Sequence, residues 1–140
     1  MKEAKIVVHT DVLLEHLEGS AHPSALRLAM GEFFCYTTVF QAVEVFAAMR
    51  TRRARRAAED AMSAMKILGL SPKKAPEYGA LFAAHPRKRA TDLLVAGLCL
   101  ESRLPLLTAR GKDFRGIRGL AIVSPGALTG GGKRARRNRE

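Results

Sequence analysis

The chain predicts an α/β fold built on a parallel sheet, and three observations carry that expectation. Four short apolar runs rich in β-branched or aromatic residues read as strands: Ile6-Val7-Val8, Phe33-Phe34-Cys35-Tyr36, Leu104-Pro105-Leu106-Leu107 and Ala121-Ile122-Val123. Helix-patterned segments long enough to serve as crossovers separate them, as parallel strands require. One of these segments, opening at Asp92 and running through Leu93-Leu94-Val95-Ala96-Gly97-Leu98-Cys99-Leu100, is apolar all round and so belongs at the centre.

Taken in order, Ile6-Val7-Val8 is a buried strand broken by His9-Thr10-Asp11, and Thr10 or Asp11 is placed to cap the helix carrying Val12, Leu13 and Leu17. Gly19-Ser20 ends that helix. Pro23 suits the first turn of a short helix packed through Leu26, Leu28, Ala29 and Met30. After the Phe33–Tyr36 strand, Thr37-Thr38 caps a helix that contains Glu44. Alternating charge and alanine from Arg52 to Met65 predict an amphipathic helix with Ala58, Met62, Met65 and Leu68 on one face, closed by Gly69 and Pro72. A short helix follows over Ala75 to Ala84, ended at His85-Pro86, and then comes the apolar Asp92 helix. Pro105 stands near the start of the third strand. The expected domain is 1–126. The stretch 127–140, with Gly130-Gly131-Gly132 and a basic end, lacks apolar residues to pack and is expected to be disordered.

At 140 residues, 47% hydrophobic and 26% charged, the chain is sized for one domain with a real core. No apolar run reaches the ~18 residues of a membrane helix, and the N-terminus has no signal-peptide pattern. The expectation is a cytoplasmic protein without membrane attachment. Cys35 and Cys99 lie in apolar runs and read as buried, reduced thiols. The net charge of +11 comes from three clusters: Arg50 to Arg56, Arg87 to Arg89, and the C-terminal tail. Basic clusters on a nearly neutral body point to a polyanionic partner, nucleic acid first. Arg55 and Arg56 precede Glu59 and Asp60 by four residues, so part of the first cluster is neutralised on its own helix. Arg52 and Arg53 have no such neighbour.

The acids are the most informative residues. Glu44 is one of two polar side chains in Val39-Phe40-Gln41-Ala42-Val43-Glu44-Val45-Phe46-Ala47-Ala48-Met49. A carboxylate in apolar surroundings is costly to desolvate and needs a cation, a partner or a proton. Asp92 opens the apolar helix, and Asp11 follows the first strand. In parallel sheets ligands bind beyond the C-terminal strand ends, where Asp11 and the loop Thr108 to Asp113 belong. Three acids on three buried elements suggest a metal site. The competing readings are a salt bridge to a nearby arginine for Glu44, a helix cap for Asp92 and a surface turn acid for Asp113. There is no internal repeat, Gly-rich phosphate loop, Cys/His zinc spacing or nucleophile elbow.

Four segments in this order resemble the PIN-domain family, in particular the small toxin ribonucleases of toxin–antitoxin pairs. They are Ile6-Val7-Val8-His9-Thr10-Asp11-Val12-Leu13, Thr37-Thr38-Val39 through Glu44, Ala90-Thr91-Asp92-Leu93-Leu94-Val95-Ala96, and Leu104-Pro105-Leu106-Leu107-Thr108 with Lys112-Asp113-Phe114 and Ile117-Arg118-Gly119-Leu120. The resemblance covers about residues 4 to 125. It implies a three-layer fold with a short central parallel sheet of four or five strands. It also implies an endoribonuclease with Mg2+ or Mn2+ at a ring of acids, a homodimer, and a cognate antitoxin whose tail enters the cleft.

Carried over by position, Glu44 and Asp92 match family acids. Two positions depart: His9 stands where the first acid is expected, and Arg110 where a fourth often lies. Asp11 and Asp113 are the available substitutes, so the implied catalytic set is Asp11, Glu44, Asp92 and Asp113. Three arrangements are compatible with His9. Asp11 replaces the lost acid; His9 itself ligates a softer ion such as Mn2+; or the site is degenerate and the fold serves as an RNA- or protein-binding module. Arg52, Arg53, Arg87, Arg89 and Arg110 are the candidate RNA contacts. Thr10 and Thr108 are candidates to orient a carboxylate or water, or serve as strand-end caps.

Overall fold

The computed structural model describes residues 4–129 and 136–137. β1 (Lys5–Val8) is the middle of the sheet. It pairs in parallel with β2 (Phe34–Thr38) on one side and β4 (Leu106–Leu107) on the other. β3 (Lys66–Leu68) extends the sheet beyond β2, and β5 (Ala121–Val123) beyond β4, both parallel. A two-residue strand, β6 (Arg136–Arg137), lies antiparallel to β5.

Alternation along the strands divides the core. Ile6 and Val8 of β1 and Leu107 of β4 face one side, packed with Val12, Leu13, Leu26, Val45, Ala58 and Met62. That layer holds α1 (Thr10–Glu18), α2 (Ala25–Glu32), α3 (Val39–Ala48) and α4 (Arg52–Ser63). Val7 and Leu106 face the other side, packed with Leu93, Ala96, Cys99, Phe114, Ile117 and Leu120. There lie α5 (Ala75–Ala84) and α6 (Ala90–Ser102), whose buried side chains wrap nearly the whole helix as its composition predicts. The result is the expected three-layer architecture with five parallel strands. Cys35 and Cys99 are both buried.

Four expectations need correction. The Arg52 helix ends at Ser63, and Met65 and Leu68 do not continue it; residues 66–68 are instead β3. Pairing of Lys66, Ile67 and Leu68 with Tyr36, Thr37 and Thr38 makes them a strand where the helical pattern running on from Arg52 indicated none. The second strand starts at Phe34 and runs through Thr38, so Thr37 is a strand residue; only Thr38 caps, its Oγ1 accepting from the Gln41 N–H at 3.2 Å. Neither Thr10 nor Asp11 caps α1. The cap position is His9, whose side chain makes no capping bond to the helix backbone, and the Thr10 and Asp11 side chains are used elsewhere. Of the tail expected to be disordered from 127 onward, Ala127–Thr129 belong to a short α7 (Gly126–Thr129) and Arg136–Arg137 to β6, while the remainder lies outside the described residues.

Candidate functional site

The site forms at the C-terminal end of β1, where the chain turns from Val8 into α1. The His9 N–H donates to the Leu107 carbonyl at 3.0 Å, so the sheet itself fixes the histidine backbone. The Val8 carbonyl beside it accepts from Thr37 Oγ1 at 3.1 Å and from Gln41 Nε2 at 2.9 Å. Gln41 is fully buried and ties the start of α3 to the end of β1. This side chain was legible only as the second polar residue of an apolar helix, three residues before Glu44. Nothing local revealed that it anchors the helix carrying the acid.

His9 is 5% exposed and stands between two carboxylates. Its Nδ1 is 3.2 Å from Asp11 Oδ1 and 3.3 Å from Thr108 Oγ1, and its Nε2 is 3.4 Å from Asp92 Oδ1. The ring meets Phe114 edge-on, with centroids 5.2 Å apart and planes at 90°. Burial alone disfavours the imidazolium. The hydrogen bonds to Asp11 and Asp92 and the charges of both outweigh it, and the pKa rises from 6.5 to about 9. His9 is thus a cation at neutral pH. Burial likewise raises the Asp11 carboxyl, but the bond and charge of His9, with the Ala109 N–H and Thr108, hold it below its ordinary 3.8.

The other oxygens are also engaged. Asp11 Oδ2 accepts from Thr108 Oγ1 at 3.1 Å and from the Ala109 N–H at 2.8 Å. Thr10 Oγ1 donates to Glu44 Oε1 at 2.7 Å, and Arg89 reaches Glu44 Oε2 at 3.3 Å. Asp92 is 5% exposed in the first turn of α6, where the helix dipole favours its charge. Asp113 pairs with its own neighbour, Arg110 Nε, at 2.7 Å, and the Arg110 N–H donates to Thr108 Oγ1 at 3.0 Å.

These contacts form two bonded groups, His9 with Asp11, Asp92 and Thr108, and Thr10 with Glu44 and Arg89, and the adjacency of His9, Thr10 and Asp11 in the chain sets them side by side. Asp113 is paired with Arg110 at their border. Arg52 and Arg53 are exposed in the first turn of α4, and Arg87 is exposed in the turn before α6. The Ala109 N–H, Phe114 and Gln41 were missed by residue-level reading: a backbone amide and a ring contact leave no chemical mark in a sequence.

Mg2+ and Mn2+ take carboxylate oxygens, and Glu44, Asp92 and Asp11 are such donors, so the donor chemistry fits a divalent ion. Internal cations compete for it. Both His9 nitrogens are already bonded, which sets the ring against the role of ligand. Among the described residues no group of three or more His, Cys, Asp or Glu side chains is set to hold an ion.

The sequence profile of the PIN domain family matches residues 6–120, and the chain belongs to that family. No curated protein matches it. Several solved structures share the fold. One is a toxin–antitoxin complex from Klebsiella pneumoniae, 22% identical, with a TM-score of 0.70 over 86% of this chain and 97% of that one. A second is VapBC2 from Rickettsia felis bound to a DNA fragment from its promoter, 18% identical, with a TM-score of 0.71 over 86% and 98%. A third is DNA-bound VapBC from Salmonella typhimurium, 18% identical, with a TM-score of 0.72 over 88% and 99%. Among the described residues no helix is long and apolar enough to cross a membrane.

Proposed function

We propose that this chain is the toxin of a toxin–antitoxin pair, an endoribonuclease hydrolysing RNA phosphodiesters at the acidic edge of its sheet with Mg2+ or Mn2+ as cofactor. The observation that supports this most is that, in a PIN-family domain, the turn His9-Thr10-Asp11 past the central strand reaches Glu44 through Thr10 and Asp92 through His9. The structural relatives are toxin–antitoxin assemblies by name, which favours a cognate antitoxin as the protein partner. A homodimer in the cytoplasm, with 1–126 as the working domain and 127–140 as a basic appendage, completes the proposal.

Glu44 and Asp92 would hold the ion, with Asp11 beside them. The chemistry an ion supplies there when bound is Lewis acidity toward water and positive charge opposite the phosphoryl oxygens. The chain does the rest. Thr10 orients Glu44; Thr108 and the Ala109 N–H orient Asp11; His9 orients Asp92. Arg89 and Arg110 present exposed guanidinium groups beside the acids, suited to bidentate phosphate contact. Arg52, Arg53 and Arg87 follow the RNA backbone, giving affinity without sequence choice. Single-stranded or looped RNA is the favoured target, since its phosphates and bases are reachable.

The test is cleavage of a labelled single-stranded RNA in Mn2+ by the parent chain and by Glu44→Gln purified identically. The variant is expected to lose about a hundredfold or more, the upper range for disturbing a metal-ligand shell. Equal rates would remove the nuclease reading. A second reading is favoured by one observation: basic His9 and Arg110 are paired with the acids they stand beside. On that reading the domain binds RNA or protein without cutting. RNA binding at low salt with no cleavage in Mn2+ would select it.

A further inference from the structure

The two internal cations nearest the acids differ in how firmly they are held. Arg89 has a side chain 59% exposed and meets a Glu44 side chain 29% exposed. An ion pair so open contributes little and yields readily to a competitor. His9 is buried, wedged on Phe114, with one nitrogen on Asp11 and Thr108 and the other on Asp92. Removing it leaves the buried Asp92 and the half-buried Asp11 without their shared partner, which is unfavourable. The ring also fills the space in which a cation shared by Asp11 and Asp92 would have to sit.

We propose that His9 is a fixed, protein-borne bridge in place of an ion between Asp11 and Asp92, so that a divalent cation finds only the Glu44 side of the cluster and binds there singly and weakly. The inference rests on reading the Glu44–Asp92 edge as the ion site. The geometry carries it: one nitrogen of the buried ring lies 3.2 Å from Asp11 and the other 3.4 Å from Asp92, so the ring occupies the gap between the two carboxylates. Asp11 is removed from the ion twice over, by His9 on one oxygen and by Thr108 and the Ala109 N–H on the other. Arg110, standing where a further acid is implied, adds positive charge at the same border.

The experiment is a titration of the full chain with Mn2+ alone, read by the electron paramagnetic resonance of free Mn2+ and by calorimetry, for the parent and His9→Asp. The parent is expected to bind at most one Mn2+. His9→Asp should bind about tenfold tighter or more, the scale of ligand-shell changes. Its thermal midpoint should fall without metal and recover with Mn2+, because three carboxylates then lack a counter-charge. A second measurement uses the parent chain and so does not depend on the variant's folding: the imidazole 15N shifts of His9 should hold constant through a Mg2+ titration.

Two bound Mn2+ in the parent, affinity equal to a folded His9→Asp, or displacement of the His9 signals by Mg2+ would each overturn the inference. Cleavage is judged separately. Absence of RNA hydrolysis by both chains in Mn2+ would sink the nuclease reading and leave the binding result standing.

Discussion

His9 couples the site to the stability of the domain. Its pKa is raised from 6.5 to about 9 in the folded chain, so its contribution is fully present below pH 6.5 and is lost as pH rises through 9. A shift of that size corresponds to about 3 kcal/mol. The thermal midpoint should therefore fall between pH 6.5 and 9 more steeply in the parent than in His9→Asn, followed by circular dichroism. Asp11 acts at the other end: its pKa is lowered from 3.8, so its stabilisation holds above that value and disappears as pH falls through the folded pKa. Parallel pH profiles for parent and His9→Asn would contradict the bridging role. The carboxylates at this scale were legible because charge inside apolar runs stands out. The histidine's two partners were not, since Asp92 is 83 positions away and nothing local links them.

At the scale of elements, two contacts set how firmly the site is framed. α3, which carries Glu44, is capped by Thr38, a buried residue. Thr38→Ala should cost about 1 kcal/mol in urea denaturation, the usual value of an N-cap, and loosen the helix end nearest the site. α6, which carries Asp92, is packed against α5 through Gly97, where an added Cβ would run into the ring of Tyr78. That ring is held by its hydroxyl, which donates to Glu101 at 2.8 Å. Gly97→Ala should destabilise by about 1–3 kcal/mol as an overpacked contact, although alanine is the better helix former. A midpoint unchanged or raised would show that Tyr78 moves freely. Most helices were readable from caps and apolar faces. β3 was not: at three residues, with one edge paired, its local pattern is too short to outweigh the helix that precedes it.

For the whole molecule the charge distribution is the deciding property. Arg52, Arg53, Arg55 and Arg56 are all exposed at the start of α4, and Arg87 and Arg89 are exposed ahead of α6. If RNA lies along them, binding must weaken as salt rises, because each phosphate contact releases a condensed counterion. The double variant Arg52→Ala/Arg53→Ala should lower the slope of log affinity against log salt by about 1.4, for two contacts to single-stranded RNA. It should weaken binding evenly across sequences. Fluorescence anisotropy with labelled RNA measures both. A slope unchanged by the double substitution would assign these arginines to an acidic protein partner or to solubility alone.

The amino-acid sequence by itself determined the fold class and marked the acids as unusual. Strand and helix periodicities are local, and a carboxylate in an apolar run is conspicuous wherever it lies. The tertiary structure alone decided what each acid is bonded to. Thr10 and Asp11 are placed like helix caps yet turn to Glu44 and to the Thr108 loop, and His9 is locked between Asp11 and Asp92. Those bonds join residues from different strands and helices, and their strength comes from burial, which exists only once the sheet has closed over them.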